Sequence, residues 1–173
     1  LANALLFLLR GGPALYYGDE KGMIGSGGDK AARQDMFPTQ VSYWQDEKRI
    51  GSDPIGTRSA FDVRNPLEDQ ITSMQAIIKA NPALRAGTQQ IRFNNKEIFA
   101  VTRYLNGQEY AVVFNSGETA QEVKFNVSTS GSKWNPILGS AISSSATGAN
   151  LTVKVGATNY VVLKAANKFK AKL

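Results

Sequence analysis

Arg10-Gly11-Gly12-Pro13-Ala14-Leu15-Tyr16-Tyr17-Gly18-Asp19-Glu20 is the stretch on which the reading of this chain turns. Two glycines and a proline cannot continue a helix cheaply, so the apolar run before them, Leu1 to Leu9, reads as a buried helix end that stops at Arg10. Beyond the stop, Ala14 to Tyr17 is short, apolar and aromatic and closes at Gly18, which predicts a buried strand of the kind found in parallel sheets. Helix, tight turn and buried strand make one αβ unit. Side chains alternate along a strand, so Tyr16 and Tyr17 should point opposite ways, both into core. Asp19 and Glu20, adjacent at the strand's end, form a tempting carboxylate pair. The same alternation places them badly to straddle one bond, and ion pairing or loop anchoring is their expected role.

Working outward, residues 19–66 are irregular and rich in Gly, Asp, Ser and Pro. A loop of that length inside a compact domain is uncommon unless it is functional, so a lid or part of a site is expected there. Within it, Asp29 and Arg33 stand four apart and suit a single helical turn that sets both side chains on one face. Residues 67–80 return to helical spacing, with Ile71, Met74, Ile77 and Ile78 on one stripe. Asn81-Pro82 ends that helix, and a short closing turn runs to Gly87.

From residue 89 the period changes to two. Runs at 91–93, 98–104, 110–114, 123–127, 151–155 and 160–163 read as strands, and Trp134–Leu138 as one more among the loops of the Ser/Thr/Gly-rich span 128–150. Asn106-Gly107 is the best hairpin signal, because both positions of that turn favour φ > 0. Asn94-Asn95 marks a second turn. Short strands punctuated by Gly, Ser and Asn predict an antiparallel sandwich. The composition shift puts a domain boundary near residue 88, giving residues 1–88 and 89–173.

The 173 residues, 42% hydrophobic and 20% charged, suffice for one domain with a real core, or a small domain plus part of another. The net charge of +6 raises the question of nucleic acid. Lys21, Lys30, Arg33, Lys48, Arg49, Arg58 and Arg64 are scattered among carboxylates, and only the tail from Lys164 to Lys172 concentrates charge. A solvated basic end is the preferred reading over a nucleic-acid arm. The absence of cysteine and histidine removes disulfides, zinc–thiolate sites, thiol catalysis and every histidine-based triad or metal cluster. No apolar run approaches the length that spans a bilayer. Leu1–Leu9 superficially resembles a signal-peptide core, yet no initiator Met or basic region precedes it. A chain that opens inside an apolar helix is expected to be cut from something larger. Left alone, that helix would be greasy and the strand edge unpaired, so a partner is expected, most simply the missing N-terminal polypeptide.

Arg10 to Met23, followed by Gly28-Asp29-Lys30-Ala31-Ala32-Arg33 and Met36-Phe37, resembles the end of the catalytic barrel of the α-amylase family of glycoside hydrolases. Ile71–Gly87 is similar to that family's final barrel helix and exit turn, and the antiparallel remainder resembles its C-terminal sandwich. The resemblance implies an α+β fragment: the final βα unit of a (β/α)8 barrel over 1–88, then an all-β antiparallel Greek-key sandwich over 89–173. A barrel of eight βα units takes about 250 residues and carries its site on the loops after its strands, so the loop after Gly18 would lie on the active-site face. The family's chemistry needs a carboxylate nucleophile and a carboxylic acid across the scissile bond. The resemblance puts both on earlier strands, so no catalytic residue is carried over to this chain.

What the resemblance does carry over is sugar contact: Asp29 and Arg33 match an Asp–Arg pair that holds a glucose unit in several relatives. A carboxylate and a planar guanidinium can bracket vicinal hydroxyls, although an intraloop salt bridge is the plainer role. Trp44, beside Tyr43, is a stacking candidate for substrate, and Trp134 a weaker one, since most Trp residues pack. The expected function is therefore the C-terminal segment of an α-amylase-like enzyme acting on starch-like glucans and inactive alone. Its partners would be an α-glucan and the missing N-terminal part, without nucleic acid or membrane. No cofactor and no metal is assigned. The alternative is a non-catalytic carbohydrate-binding or structural remnant. Substrate linkage, hydrolysis against transglycosylation, and compartment stay open, with an extracellular or periplasmic setting slightly ahead of the cytoplasm.

Overall fold

Among the described residues, the sequence from Thr88 onward forms eight strands, every pairing antiparallel: β1 (Thr88–Asn94), β2 (Ile98–Leu105), β3 (Gln108–Asn115), β4 (Gln121–Asn126), β5 (Trp134–Gly139), β6 (Ser143–Thr147), β7 (Asn150–Val155) and β8 (Asn159–Ala165). They form a five-stranded sheet ordered β1-β2-β3-β8-β5 and a three-stranded sheet ordered β4-β7-β6. This computed structural model describes residues 1–169; Lys170 and Lys172 of the basic tail lie outside the described residues.

The two sheets bury one core between them. Ala111 and Val113 of β3 and Val161 and Leu163 of β8 meet Val123 and Phe125 of β4 and Leu151, Val153 and Val155 of β7, with Trp134 among them. Fully burying a Val, Leu or Phe side chain stabilises by about 1.5–3 kcal/mol relative to exposure, so this cluster holds the sandwich together. The opposite face of the larger sheet is also covered. Val101, Val112 and Val162 are fully buried there, and the short helix α4 (Pro82–Ala86) packs on β2 and β3. β3 therefore reads as a nearly unbroken buried strand.

Arg103 shows how that second face is closed. Its side chain is buried and donates from Nη1 to the Leu8 carbonyl (3.1 Å) and from Nη2 to the Gly87 carbonyl (3.3 Å). Both carbonyls belong to helix ends, of α1 (Ala2–Leu8) and of α4, whose last C=O groups have no intrahelical donor and attract a cation. Burial, with Arg10 nearby, lowers the Arg103 guanidinium from its ordinary value. α1 itself is amphipathic: Ala4, Phe7 and Leu8 are buried while Leu6 is exposed.

The remaining helices are α2 (Ser42–Asp46) and α3 (Pro66–Ala80). Asn65 caps α3 through Oδ1, which accepts from Leu67 N (2.8 Å), and Pro66 takes the first helical position, where its missing N–H costs nothing. Ile71 and Met74 of the expected stripe are buried, and Ile77 and Ile78 half-buried. By contact density the residues group as Leu1–Pro13 with those from Met74 onward, and as Ala14–Ser73.

Two expectations are corrected. Ala14–Tyr17 is not a strand: it has no ladder partner among the described residues, and Tyr16 and Tyr17 are 55% and 44% exposed, with ring centroids 4.7 Å apart. Apolar composition permits a strand, but only neighbouring strands make one. Ser143–Thr147, expected as loop, is the strand β6, with Ser144 opposite Val153 of β7. Both predicted turns are present. Asn106 and Gly107 have φ of 51° and 77°, and Asn95 Oδ1 accepts from Glu97 N (2.9 Å) and Ile98 N (2.6 Å).

Candidate functional site

Residues 14–65 are mostly irregular, interrupted by α2 and two 3-10 turns, and what fixes them is a small set of polar pins. Asn65 is buried, and its Nδ2 donates to the Lys21 carbonyl (3.1 Å), the Ile50 carbonyl (3.0 Å) and Ser52 Oγ (3.1 Å). Lys21, also buried, pairs with Glu68 (2.6 Å) and donates to the Val63 carbonyl. Asp19 and Glu20 sit in a tight 3-10 turn (Asp19–Lys21) rather than at a strand end, and Glu20 Oε2 accepts from Gly18 N (3.0 Å). Glu20 thus anchors the loop.

The candidate substrate contact lies on the turn that follows. Ala32 N donates to the Gly28 carbonyl (3.0 Å), which closes one helical turn and brings Asp29 and Arg33 together. Arg33 Nη2 meets Asp29 Oδ2 at 2.7 Å, with the two side chains 63% and 78% exposed. An exposed pair of this kind contributes little to folding, between about 0 and 1 kcal/mol. Its hydrogen-bonding edges remain open to solvent.

The turn beneath the pair is held from three directions. Glu47 accepts from Ser26 N (2.9 Å), Ser26 Oγ and Gly25 N (3.2 Å), and also from Gln34 Nε2. Gln34 is buried just after Arg33, so the carboxylate clasps both ends of the Gly25–Gln34 segment. Trp44 supplies the third hold: its Nε1 donates to the Ala31 carbonyl (3.1 Å). Gly25 adopts φ of 67°, and a Cβ there would lie 2.4 Å from the Ala32 Cα, so no side chain fits. Burial pushes the Glu47 carboxyl up, but the hydrogen bonds from Ser26, Gln34 and Gly25 outweigh it and hold the group below the usual carboxylate range.

Of the residues singled out from sequence, Asp29 and Arg33 are brought into direct contact. Trp44 is half-buried with its indole N–H engaged by the turn that carries them. Trp134 is packed between the sheets at 5% exposure and offers no stacking face. Glu47 and Gln34 were not legible as site residues, because their partners lie 13 to 22 residues away in the chain. Among the described residues, no three acidic side chains converge to hold a metal ion, and no helix is long and apolar enough to cross a membrane.

No family model matches the chain. It is 39% identical to the α-amylase of Streptomyces lividans over 176 residues, an alignment covering 99% of this chain and 19% of the relative. It is 27% identical to the α-amylase of Niallia circulans over 168 residues, covering 95% of this chain and 26% of that protein. The chain therefore spans about a fifth to a quarter of the length of the curated relatives it matches. Among solved structures, the α-amylase from H. orenii superposes with a TM-score of 0.66 at 20% identity, covering 95% of this chain and 34% of that one.

Proposed function

The chain is a homologue of the α-amylases over its whole length, and from that premise we propose that it works as the C-terminal part of an α-amylase-like glycoside hydrolase acting on starch-like glucans. In this reading residues 1–88 complete the catalytic (β/α)8 barrel and residues 89–173 form the sandwich that follows it. Asp29 and Arg33, steadied by Trp44, hold one glucose unit of the substrate. The nucleophile and the acid/base are carboxylates outside these 173 residues, so the chain alone hydrolyses nothing.

The observation that carries the reading is the contrast between a fixed turn and its free side chains. Backbone and polar pins clasp residues 25–34, while the Asp29 and Arg33 side chains stay exposed and paired at 2.7 Å. A guanidinium and a carboxylate presented together on a rigid turn can donate to one hydroxyl and accept from its neighbour without first being ordered. The sandwich lends no second reading, since the aromatic that a binding module would need, Trp134, is buried in its core.

The test is made in a complete enzyme carrying these residues. Arg33→Ala removes charge-assisted hydrogen bonds of about 1.5–3 kcal/mol, which predicts a ten- to hundredfold rise in KM for a maltooligosaccharide with kcat little changed. Unchanged KM in both Arg33→Ala and Asp29→Ala would remove the pair from the substrate. Sugar release from α-1,4-glucan by the 173-residue chain alone would contradict the placing of the catalytic carboxylates elsewhere.

A further inference from the structure

Four residues beyond Arg33, the Ala14–Ser73 segment exposes two large rings side by side. Phe37 is 69% exposed and Phe61 58% exposed, with centroids 5.4 Å apart and planes inclined at 59°. They come from parts of the loop 24 residues apart, and the backbone is bonded to keep them adjacent. Ala60 N donates to the Met36 carbonyl (2.8 Å), and Ser59 Oγ donates to the same oxygen (3.2 Å). Ser59 also caps the 3-10 turn Ala60–Asp62 that presents Phe61. Two exposed phenyl rings cost free energy in water, and tethering both to one carbonyl oxygen keeps them out rather than letting them fold in.

We infer that Phe37 and Phe61 form an aromatic platform that binds the pyranose faces of an α-glucan chain extending from the Asp29–Arg33 contact. This rests on the reading of that pair as a glucose-holding site. The surroundings favour a polyol over a protein surface. Each ring has an exposed carboxylate next to it in the chain or one residue removed, Asp62 after Phe61 and Asp35 before Met36-Phe37. The cores of protein interfaces are depleted in Asp and Glu, whereas sugar hydroxyls need acceptors of this kind around the apolar ring contact. Four residues of chain span at most about 14 Å, so the platform lies within a few glucose units of Arg33.

The test is retardation of a complete enzyme carrying these residues in native gels containing soluble amylose, with thermal melting run on every variant. Phe37→Ala and Phe61→Ala are each expected to weaken retention about tenfold with an unchanged melting midpoint, and Phe37→Tyr, which keeps the ring, to restore it. If both alanine variants are retained like the parent while Arg33→Ala is released, the platform is overturned and the Asp29–Arg33 reading stands. If Phe37→Ala, Phe61→Ala and Arg33→Ala are all retained like the parent enzyme, both fall. Retention unchanged but self-association lost in the alanine variants would identify the rings as a contact between copies and would also overturn the inference.

Discussion

Glu47 carries more of the site's order than either residue that sequence spacing picks out. Its carboxyl sits below the ordinary range because four donors favour the charged form against the effect of burial. The unfolded chain therefore binds the proton more readily than the folded one as the solution is acidified, and the sign follows. The stabilisation is fully present above the ordinary carboxylate pKa and is lost as pH falls through the lowered folded value. Protection of the Gly25 and Ser26 amides from hydrogen exchange should accordingly collapse on acidification, at pH below about 4. Glu47→Gln should flatten that pH dependence and speed exchange at neutral pH; protection that is independent of pH in the parent chain would contradict the clasp. At this scale the sequence was legible only where partners are close along the chain. Asp29 and Arg33 advertise themselves by a spacing of four. Glu47, Gln34 and the Phe37–Phe61 pair are joined only by the fold, and nothing local marks them.

At the scale of elements, the strands were legible wherever a buried face imposes alternation, as along Val123, Phe125 and Val127. β6 was not, because Ser143, Ser144 and Ser145 favour loops by themselves and become a strand through the ladder to β7. Ala14–Tyr17 is the converse case: the right residues for a strand, without a ladder partner among the described residues. The Asn106-Gly107 turn was legible because its backbone preference for φ > 0 is local. A Cβ on Gly107, at φ of 77°, would lie 2.6 Å from the Phe169 carbonyl oxygen. Gly107→Ala should destabilise the β2–β3 hairpin by about 1–2 kcal/mol, read from the urea midpoint. Asn65→Ala should cost more, about 2–3 kcal/mol, since it removes the α3 cap and leaves the Lys21 and Ile50 carbonyls without a donor. A cost below that of Gly107→Ala would show that the Asn65 pin is dispensable.

At the scale of the molecule, the sandwich and the loop-rich segment are stabilised by different physics, and each carries one tryptophan. The sandwich rests mainly on apolar packing between its sheets, with Trp134 inside it and an ion pair of Arg92 with the buried Glu109 beside it, whereas residues 14–73 rest on polar pins around Asn65, Lys21 and Glu47, with Trp44 bonded to the site turn. Deleting core methyl groups and weakening salt-sensitive pairs should therefore read out at different tryptophans. Leu163 is fully buried on β8 against the three-stranded sheet. Leu163→Ala should lower the stability reported by Trp134 fluorescence, in a Trp44→Phe background, by about 2–5 kcal/mol, the range expected for a leucine that leaves a cavity. Burial of Trp134 also predicts a blue-shifted emission that collisional quenchers reach poorly until the sandwich unfolds. A red-shifted, readily quenched Trp134 in the folded chain would place the indole at the surface. That result would reopen the sandwich as a sugar-binding face, so the same spectrum measures the core and tests where on this molecule a glucan can bind.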